Sequence, residues 1–222
     1  MDFSYISAIL PALLEGLRQT LKVFFWTLLL SLPLGLPFAL GSISRFFPLR
    51  FLSQTYIWVF RGTPLMLQLF FVYYGLPIMF GPAFRMQNMT AAIVTFALNY
   101  AAYFAEIYRA GIQSIDQGQH EAAKTLGFTR WQTMRVIILP QTLARVIPPI
   151  SNEVITLVKD TALVTAIGVA ELLKAAKDAN NRDVNPTAFF LAALIYLALT
   201  FLLTLGSQWC EKHFSRHERK EE

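Results

Sequence analysis

The sequence predicts an all-α, polytopic membrane protein: a single domain over residues 1–222 with five transmembrane helices, N-terminus out and C-terminus in. Three observations predict it. Only 15% of the residues are charged, whereas soluble domains carry about 25%. Hydrophobic residues make up 55% of the chain, and 19 residues are phenylalanine. The apolar residues come in blocks long enough to cross a bilayer, which takes about 20 residues, and most basic residues fall in the connections between the blocks. The net charge of +5 is therefore read as loop anchoring rather than as a nucleic-acid-binding patch.

Taken in order, Ile6, Ile9, Leu10, Leu13, Leu14 and Leu17 follow helical spacing, with Ser7, Glu15 and Arg18 off that stripe. This is either a short interfacial amphipathic helix or the start of a long first helix. Asp2 and Glu15 come early and no positive charge precedes the apolar residues, so the N-terminus is expected to be retained. The five crossings are expected over roughly 20–44, 60–80, 88–112, 144–169 and 186–209. Pro33, Gly35 and Pro37 should kink the first. Arg61-Gly62-Thr63-Pro64 interrupts the second block, and Thr-Pro reads as a helix start with Thr63 as cap and Pro64 first in the helix. Residues 51–61 then form a separate preceding helix on the cytoplasmic side.

The third crossing places Asn99, Tyr103 and Glu106 on one helical face. The fourth carries Glu153, Lys159 and Asp160, with Glu153 and Asp160 about two turns apart on one face. Residues 171–185 read as a hydrophilic loop, and the tail after the uncharged fifth crossing as a solvated or frayed helix end. Cys210 is the only cysteine and cannot form an internal disulfide. Arg45, Arg50, Lys124, Arg130, Arg135, Arg145, Lys212, Arg216, Arg219 and Lys220 fall on one side of this path. Arg18, Lys22, Arg85, Lys174, Lys177 and Arg182 fall on the other. The side richer in Lys and Arg is the cytoplasmic one.

That rule puts the polar connection over 114–141 in the cytoplasm. Its centre, EAAKTLGFTRWQTMRVIILP from Glu121 to Pro140, reads as two short helices around a glycine joint at Gly127. Glu121, Ala122, Ala123, Gly127, Ile137, Leu139 and Pro140 match without a gap the EAA loop of bacterial ABC importer permeases. Residues 60–77, 105–123 and 151–173 further resemble the polar amino acid branch, the histidine, glutamine, arginine and cystine type. Ala162 departs from that branch, where serine is more usual.

The resemblance implies a type I ABC importer permease fold in the bacterial inner membrane. It implies a second permease copy, identical or homologous, two ABC ATPase subunits, an extracytoplasmic solute-binding protein and a polar amino acid as cargo. The chain has no Gly-rich Walker loop, so ATP and Mg are expected on the partner ATPase; no cofactor, catalytic residue or metal site is expected here. Glu121, Ala122, Ala123, Thr125, Leu126 and Gly127 would form the ATPase-coupling element. The two alanines allow close approach, and the Glu121 carboxylate either binds a basic group on the ATPase or caps its own hairpin.

Ionisable groups inside a membrane are costly against lipid, so a substrate path should use them. Either Glu153 and Asp160 hold an amino group of the substrate, or Lys159 and Asp160 pair with partners in neighbouring helices or sit near the headgroups. Asn99, Tyr103 and Glu106 either line the path or bond helix to helix. Arg61 and Thr63 mark a break whose helix start either meets a substrate carboxylate or leaves Arg61 as an anchor. A gradient-driven carrier or channel and a non-transporting scaffold are the competing classes. The missing internal repeat counts against the first, and the cost of the buried charges against the second.

Overall fold

The computed structural model describes residues 3–214. Asp2, Arg216, Arg219 and Lys220, used above for the N-terminus and the charge asymmetry, lie outside the described residues. Within them the chain is helical throughout, with no strand.

Helix α1 runs unbroken over Phe3–Ser42, so residues 6–17 begin a long first helix and form no separate interfacial one. At 1.5 Å per residue it is about 60 Å long. Pro33 and Pro37 lie on its exposed side. Helix α2 (Phe47–Gly62) returns antiparallel to it: Gln54 donates to the Ser42 carbonyl and the Tyr56 ring stacks on Phe38. After Thr63 and Pro64 the chain continues as α3 (Leu65–Phe70), a π-helical turn (Phe71–Gly75) and α4 (Leu76–Phe80), bent by 104° from α2. Helix α5 spans Asn88–Gln113. A polar hairpin follows, with α6 at Gln117–Thr125 and α7 at Arg130–Gln132. A second π-helical turn, Thr133–Ile138, leads directly into α8 (Leu139–Asp160).

Three helices, α1, α5 and the last one, α10 (Thr187–Phe214), are long and apolar enough to cross a membrane; the bent pair makes a fourth if counted as one broken span. Helix α8 is also long, but Arg145, Glu153, Lys159 and Asp160 make it more polar. The expected fourth crossing over 144–169 is not one helix. It ends as α-helix at Asp160 and tightens into a 3₁₀ segment, Thr161–Ile167, before Gly168 turns the chain in the left-handed region at φ +80°. Residues 171–185 are not a loop: α9 forms over Leu172–Asp183.

Between membrane helices there is little hydrophobic drive, so close packing of small residues holds them together. Helix α1 presents Gly16, Thr20, Thr27, Ser31, Gly35 and Ala39 to its neighbours. Helix α5 answers with Ala91, Ala92, Thr95, Ala101, Ala102 and Ala105. The two helices approach closely at Gly35, where a Cβ would sit 3.0 Å from the Ala101 carbonyl oxygen and from Phe104 Cβ. Phe96 and Phe104 fill the centre of the bundle, completely buried. The outward face of α10, with Leu197, Phe201 and Leu202, remains exposed, as a lipid-facing helix requires.

Glu171 explains why α9 forms. Its carboxylate is fully buried and caps α9, accepting from the backbone N–H groups of Leu173 (2.8 Å) and Lys174 (2.7 Å). It also accepts from the hydroxyls of Tyr196 (2.8 Å) on α10, Thr165 in the 3₁₀ segment and, more distantly, Thr20 (3.5 Å) on α1. One carboxyl group thus ties four segments together, and no cation pairs with it among the described residues. Replacing Glu171 by Ala leaves these donors without their acceptor; at about 1–3 kcal/mol for an unsatisfied buried group, the variant is expected to unfold at a clearly lower temperature in detergent. Glu171→Gln, which keeps one acceptor oxygen, should lose less; equal melting temperatures for wild type and Glu171→Ala would refute the assignment.

Candidate functional site

Arg61 lies in the last turn of α2, which ends at Gly62, and the backbone at Thr63 and Pro64 is extended. Thr63 does not cap α3. Its hydroxyl donates back to the Val59 carbonyl (2.8 Å), closing α2, and α3 starts at Leu65 with Pro64 in the cap position. The reason is local: a Thr hydroxyl at a helix end reaches the carbonyl four residues back as readily as an N–H ahead. The carbonyls that the break sets free are covered by side chains. Gln68 Nε2 lies 2.9 Å from the Phe60 carbonyl and 3.1 Å from that of Thr63. Asn99 Nδ2, near the middle of α5, donates to the Phe60 carbonyl (3.1 Å) and to Gln68 Oε1 (3.0 Å). Asn99 is buried and committed to this junction, so its observed role is to bond helix to helix.

Below Asn99 on the same face of α5, the side chains open onto a cavity of about 480 Å³. Gln54, Trp58, Arg61, Tyr103, Glu106 and Arg109 contribute to its wall. The Arg61 guanidinium sits 5.4 Å from the centre of the Tyr103 ring, a cation–π geometry. Its Nη1 is 3.7 Å from Glu106 Oε1. Glu106 belongs more closely to Arg109, one turn on: Nε to Oε2 is 2.8 Å and Nη2 to Oε1 is 2.5 Å. Arg109 also donates to Gln113. Arg61, Tyr103 and Glu106 are therefore neighbours in the structure, while Thr63 is engaged in the break itself. Arg109 was visible in the sequence only as a charge in a span; its i to i+3 spacing from Glu106 was the signal.

The acids of α8 occupy a second position. Asp160 is its last residue, where the helix dipole disfavours an anion; the Tyr100 hydroxyl of α5 compensates by donating to Oδ2 at 2.8 Å. Asp160 thus pairs with a neighbouring helix. Glu153, two turns earlier, is partly buried and makes no hydrogen bond among the described residues, but it lies within the electrostatic reach of both Asp160 and Arg61. Lys159 is exposed.

The hairpin has the glycine joint its sequence demands. Gly127 stands at φ +78°, a conformation that costs other L-residues about 1–2 kcal/mol. Asp116 caps α6 through Gly118 N–H (2.6 Å), so Glu121 does not cap the hairpin, and its side chain is exposed. Thr125 donates to the Glu121 carbonyl (3.0 Å). Thr129 and Gln132 cap each other at the start of α7. Ala123 is buried, whereas Glu121, Ala122, Thr125 and Leu126 are exposed together at the tip, with Trp131 beside them at 71% exposure. The second arm is not a short helix ending at Pro140; it runs on through α8. Arg145 of α8 donates to the Ser114 carbonyl and hydroxyl, fixing the hairpin's base to the end of α5.

The architecture is a helical bundle with a broken helix, ionisable side chains along its interior and a capped polar hairpin. The family described as the binding-protein-dependent transport system inner membrane component matches residues 31–216, and this chain belongs to it. It is 40% identical over 219 residues to the arginine transport system permease protein ArtQ of Bacillus subtilis, covering 98% of this chain and 99% of that one. It is 38% identical to the glutamine transport system permease protein GlnP of Escherichia coli, covering 91% and 93%. Its fold superimposes on a chain of a crystal structure of an amino acid ABC transporter with histidines at a TM-score of 0.89, with 34% identity over 96% of this chain and 99% of that one. The chain is a multi-pass inner-membrane protein of the amino acid ABC permease type.

The Asn99 junction has a direct consequence. Asn99→Ala takes one donor from the Phe60 carbonyl and one partner from Gln68, at a cost of about 1–3 kcal/mol for buried polar groups left short. The purified protein is expected to melt several degrees lower, as read by thermal unfolding in detergent; an unchanged midpoint would show that the break does not depend on Asn99.

Proposed function

We propose that this chain is the permease subunit of an ATP-driven importer for a polar amino acid. A second permease copy pairs with it, two ATPase subunits dock on its hairpin from the cytoplasm, and an extracytoplasmic solute-binding protein delivers the cargo. Five crossings, with the N-terminus out and the C-terminus in, follow if the bent pair of α2 and α3–α4 and the more polar α8 each count as one. The relatives named for arginine and glutamine transport support a cargo carrying both an ammonium and a carboxylate group.

The observation that carries the reading is the hairpin. It is capped at both helices, jointed by a left-handed glycine and presents exposed Glu121, Leu126 and Trp131 that nothing among the described residues covers. A structured apolar and acidic tip of this kind is costly unless a partner covers it. In the interior, Arg61 is suited to a carboxylate and Glu153 and Asp160 to an ammonium group, with Tyr103 and Glu106 between the break and the inner end of α5. Thr63 contributes through the backbone turn that places Arg61. The chemistry asked of these residues is binding and release; ATP and Mg belong to the partner subunits.

Gly127→Asp tests the coupling. No atom lies within 4 Å of where a Cβ would be built, so the side chain meets no clash; the positive φ strains it by about 1–2 kcal/mol, a cost that falls at the tip. The assembled importer is expected to insert normally and to lose substrate-stimulated ATP hydrolysis in vesicles. Full stimulation in this variant would remove the hairpin from the coupling path.

A further inference from the structure

We propose that Arg109 is a positioning residue that keeps Arg61 available for the carboxylate of the transported amino acid, by occupying Glu106. The inference rests on the carboxylate role of Arg61 proposed above. Its basis is an asymmetry among three charges. Two guanidinium groups face one carboxylate, and they do not share it equally. Arg109 takes both Glu106 oxygens in a forked pair at 2.8 and 2.5 Å. Arg61 comes no nearer than 3.7 Å to the same carboxylate, beyond hydrogen-bond length, and makes no hydrogen bond among the described residues.

Arg61 is nevertheless held. The Tyr103 ring 5.4 Å away supports the face of its guanidinium, an interaction that consumes none of the in-plane N–H donors. Its side chain is 41% exposed, towards a cavity of about 480 Å³, within the range that holds small ligands. An oriented, unspent guanidinium fork fits a carboxylate, which it binds with two parallel hydrogen bonds. Glu153 of α8 lies within electrostatic reach of Arg61 without bonding to it. A zwitterion placed between them would put its carboxylate on Arg61 and its ammonium on Glu153.

The competitor for that place is Glu106. It lies one turn from Arg109 on the same helix, whereas Arg61 reaches it from α2 across the cavity. The Glu106–Arg109 pair is therefore built into α5. If Arg109 lost its charge, Glu106 would turn to Arg61, and the chain's own carboxylate would fill the position meant for the cargo.

The test uses the purified permease–ATPase complex and equilibrium binding of L-arginine and L-glutamine, each compared with its α-carboxamide, which lacks the anion. Wild type is expected to prefer the free acid by at least about tenfold, the least that a charge-assisted pair should give. Arg61→Gln should abolish the preference. Arg109→Gln should abolish it too, while Arg109→Gln combined with Glu106→Gln should restore it, and Arg109→Lys should keep most of it. Restoration separates neutralisation of Glu106 from general damage to the fold. Absence of any preference in wild type, or its survival in Arg61→Gln, would overturn the carboxylate reading and the role of Arg109 with it. A preference lost in Arg61→Gln but kept in Arg109→Gln, or not restored in the double variant, would overturn the role of Arg109 alone.

Discussion

A helix that breaks inside a membrane protein sets carbonyl groups free where water cannot reach them, and this chain depends on how it answers that constraint. Lipid offers no hydrogen bonds, so irregular backbone survives only where protein covers it. Here the carbonyls of Phe60 and Thr63 are met by Gln68 from the far side of the break and by Asn99 from α5. Asn99 also holds Gln68, so the two amides form one unit. The 104° bend between α2 and α3 is held by that unit, and the bend determines where Arg61 points. With the end of α2 fixed against the middle of α5, Arg61 meets Tyr103 and Glu106, one and two turns further along the same face.

A second constraint acts at the opposite end of the bundle. The α1–α5 contact gains its tightness from residues too small to hold polar groups away from one another, and Gly35 lets backbone meet backbone. Beyond it, near Gly16 and Thr20, the helices need a different fastening, and the buried Glu171 supplies one. It fastens by direction rather than by apolar area: its donors come from α1, the 3₁₀ segment, α9 and α10. The segment between Asp160 and Glu171 is thereby held at both ends by carboxylates, one bound by Tyr100 and the other by Thr165 and Tyr196.

This explains which parts of the structure were legible in the sequence. The hairpin was, because its devices are local: a glycine where φ must be positive and an alanine where the helix packs back. The third crossing was legible because its apolar residues recur along the whole segment and Asn99, Tyr103 and Glu106 keep one helical face. Thr63 was misread because a Thr hydroxyl serves the helix behind it as well as the one ahead, and only the position of Gln68 and Asn99 decides. The end of α8 at Asp160 was hidden because apolar residues continue to Val169 while the backbone tightens. Residues 172–183 looked like a loop since their polarity is high; what makes them a helix is the cap from Glu171, whose partners lie far away in sequence. The Glu106–Arg109 pair was within reach of helical spacing, but nothing local tells that Arg61 would arrive beside it.

The hairpin and the interior charges are parts of one rod, and this bears on how coupling would work. From Arg130 the helical path continues without a break through the π-helical turn at Thr133–Ile138 and along α8 to Asp160. Glu153 and Asp160 therefore stand on the same element that begins at the exposed tip. A force delivered at Arg130 and Trp131 crosses no loop to reach them. Two features would shape the response. The π-helical turn is the place where such a rod can change its winding, since its hydrogen bonds are already out of the α register. The bond from Arg145 to Ser114 ties the rod to the end of α5, the helix that carries Glu106 and Arg109. On the proposed function, a movement driven at the tip would shift the acids of α8 relative to Arg61 of α2. The ammonium and carboxylate sites of a bound zwitterion would then separate, which releases the cargo without any change in the charges themselves.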